Sequence, residues 1–435
     1  MSLIPRRALL AGTTGTLGLG LASTVLAQAP EAPRADVNVK DFGAIGDGKV
    51  ANIERDTNAF LAAIQASRTK GAAIHVPLGR YLLSKPLVLE DQTLIGSLVG
   101  GWNTDTDNLP TLVILHHEGP AITLARGSAV HGVHVLDSVR PDGGGGVEAQ
   151  PERRFEVRPP AFRVIGQCSI SNVKIQYAYD AIVLASETEN GRTNIENVFI
   201  ISPGRDGVYF TGCSDLPTLR NVEAWCNVGP SKGAGFRFGH NDGLHANRLF
   251  AYGFEDGYVF NDAPMAVQRN YGTLVDCSTD NCQHGIIVAG HTRLNIIGGD
   301  FLNHHETLLI HSRFASVRMA NAHLRSNGSP AVACDEADAI ILSSCEITGG
   351  GQTEEAYIRI GAGNVERATI SACQIMPELR PKVRIGIQLL PGTRQCLITG
   401  NIFGSGDYNR FHIDITPTAD VIINQNVGGG LVLPR

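Results

Sequence analysis

The sequence predicts an all-β solenoid, a chain of short strands wound into stacked coils. Three observations predict it. A short phrase recurs down the second half: Asn172-Val173-Lys174-Ile175, Asn197-Val198-Phe199-Ile200, Asn221-Val222-Glu223-Ala224 and Asn247-Arg248-Leu249-Phe250. Weaker copies begin at Asp276, Gly298, Asn321, Ser344, Ala372, Gly400 and Asn424, so successive starts lie 22 to 29 residues apart. A period in that range, made of short apolar strands without long helices, is the mark of stacked repeats that bury their apolar faces against one another. The 50 glycines and 21 prolines among 43% hydrophobic residues supply turns between many strands. Finally, a second set of strand starts lines up between the phrases, described below.

A chain of 435 residues could hold two or three domains by length alone. The repeat argues for one, because a solenoid lengthens without needing a new core. The net charge of −6 excludes wholesale nucleic-acid binding. A polyanionic partner would need a local basic strip.

The elements follow in order. Residues 1–29 read as an export signal. Arg6-Arg7 precede a weakly apolar, Gly-interrupted run from Ala8 to Val25, and Arg-Arg-x-Leu-Leu resembles a bacterial twin-arginine leader. An ordinary secretory signal is the alternative, with cleavage after Ala27 or Ala29. Either places the mature protein in the periplasm or outside the cell, with no membrane anchor after removal of the signal. Residues 30–40 read as a linker. Residues 41–435 read as one solenoid domain. Asp56 or Thr57 is a candidate N-cap for a helix over 57–68, with Phe60, Leu61 and Ile64 on one face. Such a helix covers the open apolar end of a coil stack. Nine cysteines cannot all pair within the chain. Cys277, Cys345 and Cys373 fall in the column of Val173, Val198 and Val222, so they read as small core residues.

Three phrases near the N-terminus carry a resemblance: Asp41-Phe42-Gly43-Ala44-Ile45-Gly46-Asp47-Gly48, Asp56-Thr57-Asn58-Ala59-Phe60 and Val76-Pro77-Leu78-Gly79-Arg80-Tyr81. The stretch resembles the N-terminal segment of the pectate-lyase-like superfamily, which includes polygalacturonases and tailspike-type proteins. The resemblance implies a right-handed parallel β-helix with a short N-terminal capping helix, and action on polysaccharide.

Between Gly132 and Asn172 the repeat stretches to 40 residues, about 15 more than a typical coil. The excess, 137–160, carries Arg140, Arg153, Arg154 and Arg158. Insertions emerge on one face of a solenoid, often the binding face. One reading is a mobile flap whose guanidinium forks, Arg153 and Arg154 foremost, meet substrate carboxylates. The other is a disordered insertion with no role.

The second set of strand starts is Asp180-Ala181, Asp206-Gly207, Ala234-Gly235, Asp256-Gly257, His284-Gly285 and Glu306-Thr307. Parallel strands stack about 4.8 Å apart, so these first residues form a vertical column. Neighbouring carboxylates raise one another's pKa, which helps make a general acid. Asp206 and Asp256, two coils apart, would stand roughly 9.6 Å from each other. That is the upper edge of the ~6.5–9.5 Å used for inverting glycoside hydrolysis. Asp180 and Asp206 are nearer the spacing for retention, and His284 adjoins Asp256. An Asp before Gly also serves as a plain turn residue.

The column resembles that of polygalacturonases, whose catalytic Asp residues stand at strand starts. Glu255-Asp256-Gly257 looks like their Asp-Asp coil, and Gln283-His284-Gly285 like their Gly-His-Gly coil. The coil before brings Ala234-Gly235 where that family has Asp. The coil after brings Leu309-Ile310-His311 where it has Arg-x-Lys. The resemblance implies Asp256 as general acid or base, Asp206 as its distant partner, and Glu255 and His284 as supports. Arg237, Tyr258, Asp180, His305 and Glu306 join Arg153 and Arg154 as candidate substrate contacts.

His304-His305-Glu306 with His284 lacks the spacing of a metal site, so no metal or cofactor is expected; calcium enters only if the enzyme is a lyase. Arg237 or Arg269 would then be the candidate base. Tyr209, Trp225, Phe236, Phe238, Tyr252 and Tyr258 lie along the strands, about half of them facing inward by alternation. Three functions fit: inverting hydrolysis of a uronate-containing polysaccharide, elimination or C5 epimerisation of one, and non-catalytic glycan binding. The sequence leaves the oligomeric state open.

Overall fold

The computed structural model describes residues 36–97, 109–260, 269–327, 330–349, 356–377, 385–404, 412–415, 420–428 and 430–432. The export-signal reading of 1–29 lies outside them. The described chain is a parallel β-solenoid of about 11 turns with one N-terminal helix. Thirty-seven strands join one continuous sheet, and every pairing within it is parallel. Among the described residues no helix is long and apolar enough to cross a membrane.

The recurring phrase marks a corner. Asn194–Ile201 is one strand bent at Asn197, whose φ of 52° is left-handed. Asn172 and Asn221 do the same at 52° and 53°. Asparagine tolerates this region better than other residues bearing a Cβ. The corners are also tied to one another: Asn197 Nδ2 donates to Asn172 Oδ1 (3.1 Å), and Asn221 Nδ2 donates to Asn197 Oδ1 (2.9 Å). Two expected starts shift by one residue. Asn247 pairs with Arg220 and Asn424 with Thr399, so the corners are Arg248 and Gln425, each with φ 54°. Asparagine preference misplaced them; the stacked strands on either side impose the bend on whichever residue arrives.

Inward positions repeat with the coil. Val173, Val198, Val222 and Leu249 share one column, and Cys277, Cys345 and Cys373 extend it, all at most 2% exposed. All nine cysteines are free and buried. Aromatic rings stack along the axis as well: Phe236 on Tyr258 (5.2 Å, 12°) and Phe238 on Phe260 (4.7 Å, 14°). Burying each such ring contributes roughly 1.5–3 kcal/mol.

The helix, α1 (Ile53–Lys70), starts four residues before the expected position, with Asn52 at its N-cap and Gly71 (φ 62°) ending it. Asp56 lies inside it, fully buried. It accepts from the backbone N–H groups of Ile45 (2.7 Å), Gly46 (3.2 Å) and Leu82 (3.2 Å), which ties the first turn and the first coils to the helix. Phe60 packs edge-on against Tyr81 at 5.2 Å. The glycines of the N-terminal phrases are steric requirements: a Cβ on Gly46 would lie 2.6 Å from the Tyr81 ring, and one on Gly79 would lie 2.8 Å from Gly46 O. The first coil opens within the stretch read as linker, where Val37–Asn38 pair with Ile74–His75.

The 137–160 insertion is ordered. Val139–Pro141 and Val147–Ala149 form an antiparallel hairpin, closed by Asp142 accepting from Gly144 and Gly146 N–H, and Pro151–Phe155 is a 3-10 turn. Val139 and Val147 pack on Leu82, Val113 and Leu136, on the outer face of the coils.

Candidate functional site

The strand-start column has the expected register. Ala234 pairs with Asp256 and Asp256 with His284. Ala181 N–H bonds to Asp206 O and Gly285 N–H to Glu306 O, continuing the column in both directions. The column holds two different environments.

Its upper part is buried and ion-paired. Asp180 is 4% exposed and receives Arg205 Nε (2.8 Å) and Nη2 (2.6 Å). Burial pushes its carboxyl above the usual range, and Arg205 opposes that. Asp206 is 3% exposed; it accepts from Ala234 N–H (2.8 Å), Arg237 Nε (3.0 Å) and Arg237 Nη2 (3.2 Å), with Arg205 at 3.7 Å. Neither carboxylate presents an open face, so Asp206 does not stand as a free partner to Asp256. Arg205 was not picked out from the sequence. Its place one coil below Asp180, 25 residues on, was the available signal.

The lower part is open. His284 Nδ1 lies 3.2 Å from Asp256 Oδ1, and its Nε2 lies 3.6 Å from Glu306 Oε2. The three side chains are 20 to 30% exposed. The hydrogen bond to Asp256 raises the His284 pKa, burial opposes, and the charges of Asp256, Glu306 and Glu255 add to the rise. Glu255 is exposed beside Asp256. His305, also exposed, has its ring 5.5 Å from that of His284. Asp256, His284, Glu306, Glu255 and His305 are therefore brought together. Two carboxylates flanking one imidazole can accept and return protons over a surface that a polymer can reach.

Several expected contacts lie elsewhere. Tyr258 is in the core, 0% exposed, its hydroxyl donating to Leu249 O (2.8 Å) and Ser278 O (2.9 Å). Alternation misleads here because Gly257 and Tyr258 both face inward: a Cβ on Gly257 would lie 2.3 Å from the Thr279 methyl, itself in the core. Arg154 is 2% exposed and clamps the insertion onto a coil, donating to Pro151 O (3.0 Å) and Val228 O (2.7 Å) while covering the Phe155 ring. Arg153 is engaged by Glu156 (3.1 Å), Arg140 by Glu148 (3.4 Å), and Arg158 by Asp137 in a buried pair (2.6 Å). The insertion is thus a docked element whose four guanidiniums are all occupied, which is neither the mobile flap nor the disordered loop. Arg237 serves Asp206. Arg269 opens the strand Arg269–Val275, which pairs with Asn241–Tyr252 and His291–Ile297 and not with the strands of the column. Among the described residues no set of three or more His, Cys, Asp or Glu side chains is arranged for a metal ion.

The N-terminal motifs have a counterpart in sequence. Residues 36–107 match the family described as rhamnogalacturonase A/epimerase, pectate lyase-like. A search of curated proteins gives no match. Among solved structures, the A-module of mannuronan C-5 epimerase AlgE4 from Azotobacter vinelandii is similar, with 14% identity, 91% of this chain and 100% of that one covered, and a TM-score of 0.51. So is the catalytic domain of a GH87 α-1,3-glucanase in complex with nigerose, with 12% identity, coverage of 93% and 69%, and a TM-score of 0.51. A family 28 exopolygalacturonase from Yersinia enterocolitica matches at 12% identity, coverage of 91% and 79%, and a TM-score of 0.47. At these identities the likeness is one of fold. Motif match and coil geometry agree on the fold: the chain is a parallel β-solenoid, and its residues 36–107 resemble the pectate lyase-like family.

Proposed function

We propose that this protein is a carbohydrate-active enzyme that hydrolyses glycosidic bonds in a uronate-containing polysaccharide at the Asp256–His284–Glu306 column. The observation that carries the reading is the pair of half-open carboxylates held on either side of one imidazole, at 3.2 and 3.6 Å. Asp256 and Glu306 stand two coils apart, a spacing of roughly 9.6 Å between strands. Inverting hydrolysis uses carboxyls roughly 6.5–9.5 Å apart, with room for water between one of them and the sugar. In this reading Glu306 replaces Asp206 as the distant partner. One carboxyl group protonates the leaving oxygen as the C–O bond breaks, and the other takes a proton from the attacking water. His284 holds the two in place and returns the proton between turnovers. The leader at Arg6-Arg7 implies that the substrate is met outside the cytoplasm.

Elimination or C5 epimerisation is the second reading. It is favoured by Arg205, which is paired with Asp180 yet keeps 49% of its side chain exposed beside the column, where its outer edge could meet a uronate carboxylate while the α-proton is removed. Incubation with polygalacturonate, alginate and neutral glucans tests both. New reducing ends without ultraviolet absorbance support hydrolysis. Absorbance of an unsaturated uronate indicates elimination. Deuterium uptake from solvent without chain shortening indicates epimerisation. Absence of all three on every glycan removes the enzymatic reading.

A further inference from the structure

Exposed arginines along this solenoid commonly meet a carboxylate from an adjacent coil. Arg163 pairs with Glu187, Arg192 with Asp215, Arg220 with Glu196, Arg367 with Asp338 and Arg394 with Glu366. One strip departs from that pattern. It lies past the ends of the column's strands His284–Val288 and Leu308–His311, where the chain turns into the strands His291–Ile297 and Ser316–Ala320. Arg269, Arg293, Arg313 and Arg318 are exposed there on three successive coils, and none forms an ion pair among the described residues. Register stacks Arg269 on His291 and Tyr271 on Arg293. The next coil adds Phe314, whose ring stacks on that of His291 at 4.2 Å and 15°. Aromatic rings take the place that carboxylates hold elsewhere. The Arg293 guanidinium lies over the Tyr271 ring at 5.6 Å, and that of Arg313 over the Phe314 ring at 4.7 Å. Two acids border the strip by register: Asp242, beside Asn241 in the coil before, and Glu336, opposite His311 in the coil after. Neither forms an ion pair with these arginines among the described residues.

A ring face holds a guanidinium in place without using its N–H donors, which point outward in the guanidinium plane. A carboxylate partner would consume them. The strip is therefore positioned by the protein and left open at its donor edge. Four like charges gathered within two coil rises, roughly 9.6 Å, repel one another and draw in anions. The chain as a whole is acidic, at −6, so the basic strip that a polyanionic partner requires is a local construction. We propose that Arg269, Arg293, Arg313 and Arg318, with Tyr271 and Phe314 beneath two of them, bind an acidic polysaccharide. The glycan lies along the solenoid axis, and its carboxylates meet guanidinium forks on successive coils. The choice of a carboxylated chain rests on the uronate reading above; the strip itself does not. The strand His284–Val288, roughly 16 Å long, separates it from the His284 end of the column. The strip holds a long chain and takes no part in bond cleavage, so it does not depend on the column being catalytic.

The test uses the full chain carrying Asp256→Asn, so that turnover does not consume the probe. Calorimetric titration is run at about 50 and about 200 mM salt with octasaccharides of galacturonate, mannuronate and glucose. The expected result is binding of at least one uronate octamer that weakens as salt rises. Arg293→Gln and Arg313→Gln should each weaken it about threefold, and the double variant about tenfold. Arg367→Gln, whose guanidinium is already paired with Asp338, should change it less than about twofold. The glucose octamer should bind weakly and ignore all three changes. These side chains are exposed, so unchanged melting temperatures confirm that the variants fold. No binding of either uronate octamer by the parent, or affinities within twofold of the parent in the double variant, would overturn the proposal. So would arginine-dependent binding to phosphatidylglycerol vesicles with none to the octamers, because the strip would then be a membrane contact. Strip-dependent binding with no turnover by the unmutated protein on any glycan would sink the hydrolase reading and leave the strip standing. Turnover together with octamer binding that ignores the double variant would do the reverse.

Discussion

Asp180 and Asp206 occupy the same strand-start position as Asp256, with the same residue type, yet the two ends of the column behave differently. At the upper end Arg205 and Arg237 reach in and close each carboxylate under 5% exposure. At the lower end no arginine arrives among the described residues; an imidazole does, and the carboxylates keep an open edge. The difference teaches that a ladder of acids is not a site by virtue of its spacing. What decides is the partner supplied from the next coil: a guanidinium neutralises a carboxylate and fixes it, whereas an imidazole leaves a proton to move.

The comparison can be broken experimentally. The largest effect is expected for Asp206→Ala, which strands Arg237 and the Ala234 N–H and should destabilise by about 3–5 kcal/mol; urea denaturation measures it. A loss under about 1 kcal/mol would show that the upper pair is not structural. Asp256→Asn should do the reverse, cutting glycan turnover at least about a hundredfold while shifting the urea midpoint little. Turnover surviving in Asp256→Asn but not in Asp206→Asn would invert the assignment. Tyr258→Phe should cost about 1 kcal/mol of stability and leave KM unchanged, since its hydroxyl serves Leu249 and Ser278 inside the stack.

A pair of opposite pH slopes sharpens the comparison from another side. His284 has a raised pKa in the folded state, so its contribution to stability is full below the ordinary imidazole value of about 6.5 and is lost as pH rises through the folded value. His134 is buried beside Lys174, and burial pushes its pKa down to about 3. The unfolded chain then binds the extra proton, so stability falls as pH drops from about 6.5 toward about 3. Thermal melts across pH should show the alkaline slope flatten in His284→Gln and the acid slope flatten in His134→Gln. Unchanged slopes would mean that neither imidazole is held as the structure has it.

Much of the fold was legible because the coil writes itself into the sequence. A left-handed corner prefers Asn or Gly, the next position is small and apolar, and strand starts favour Asp before Gly. The register of Asp180, Asp206, Ala234, Asp256, His284 and Glu306 followed from that alone. The site was less legible, because its character rests on contacts that cross coils. Arg205 reaching Asp180 and Arg154 reaching Val228, 74 residues away, leave no local pattern. Tyr258 shows the same limit within one strand. The inward Gly257 before it breaks the two-residue alternation by which an outward tyrosine would be recognised.

The bent corner also sets how this scaffold could be remade. Arg248, Ser344 and Ala372 hold left-handed backbone with side chains that gain nothing from it. Replacing Ala372 by Asn or Gly should raise the melting temperature, by an increment worth up to about 1 kcal/mol. The change touches no inward column and no strand start. Durability and specificity can therefore be engineered on separate residues of each coil, one revolution at a time.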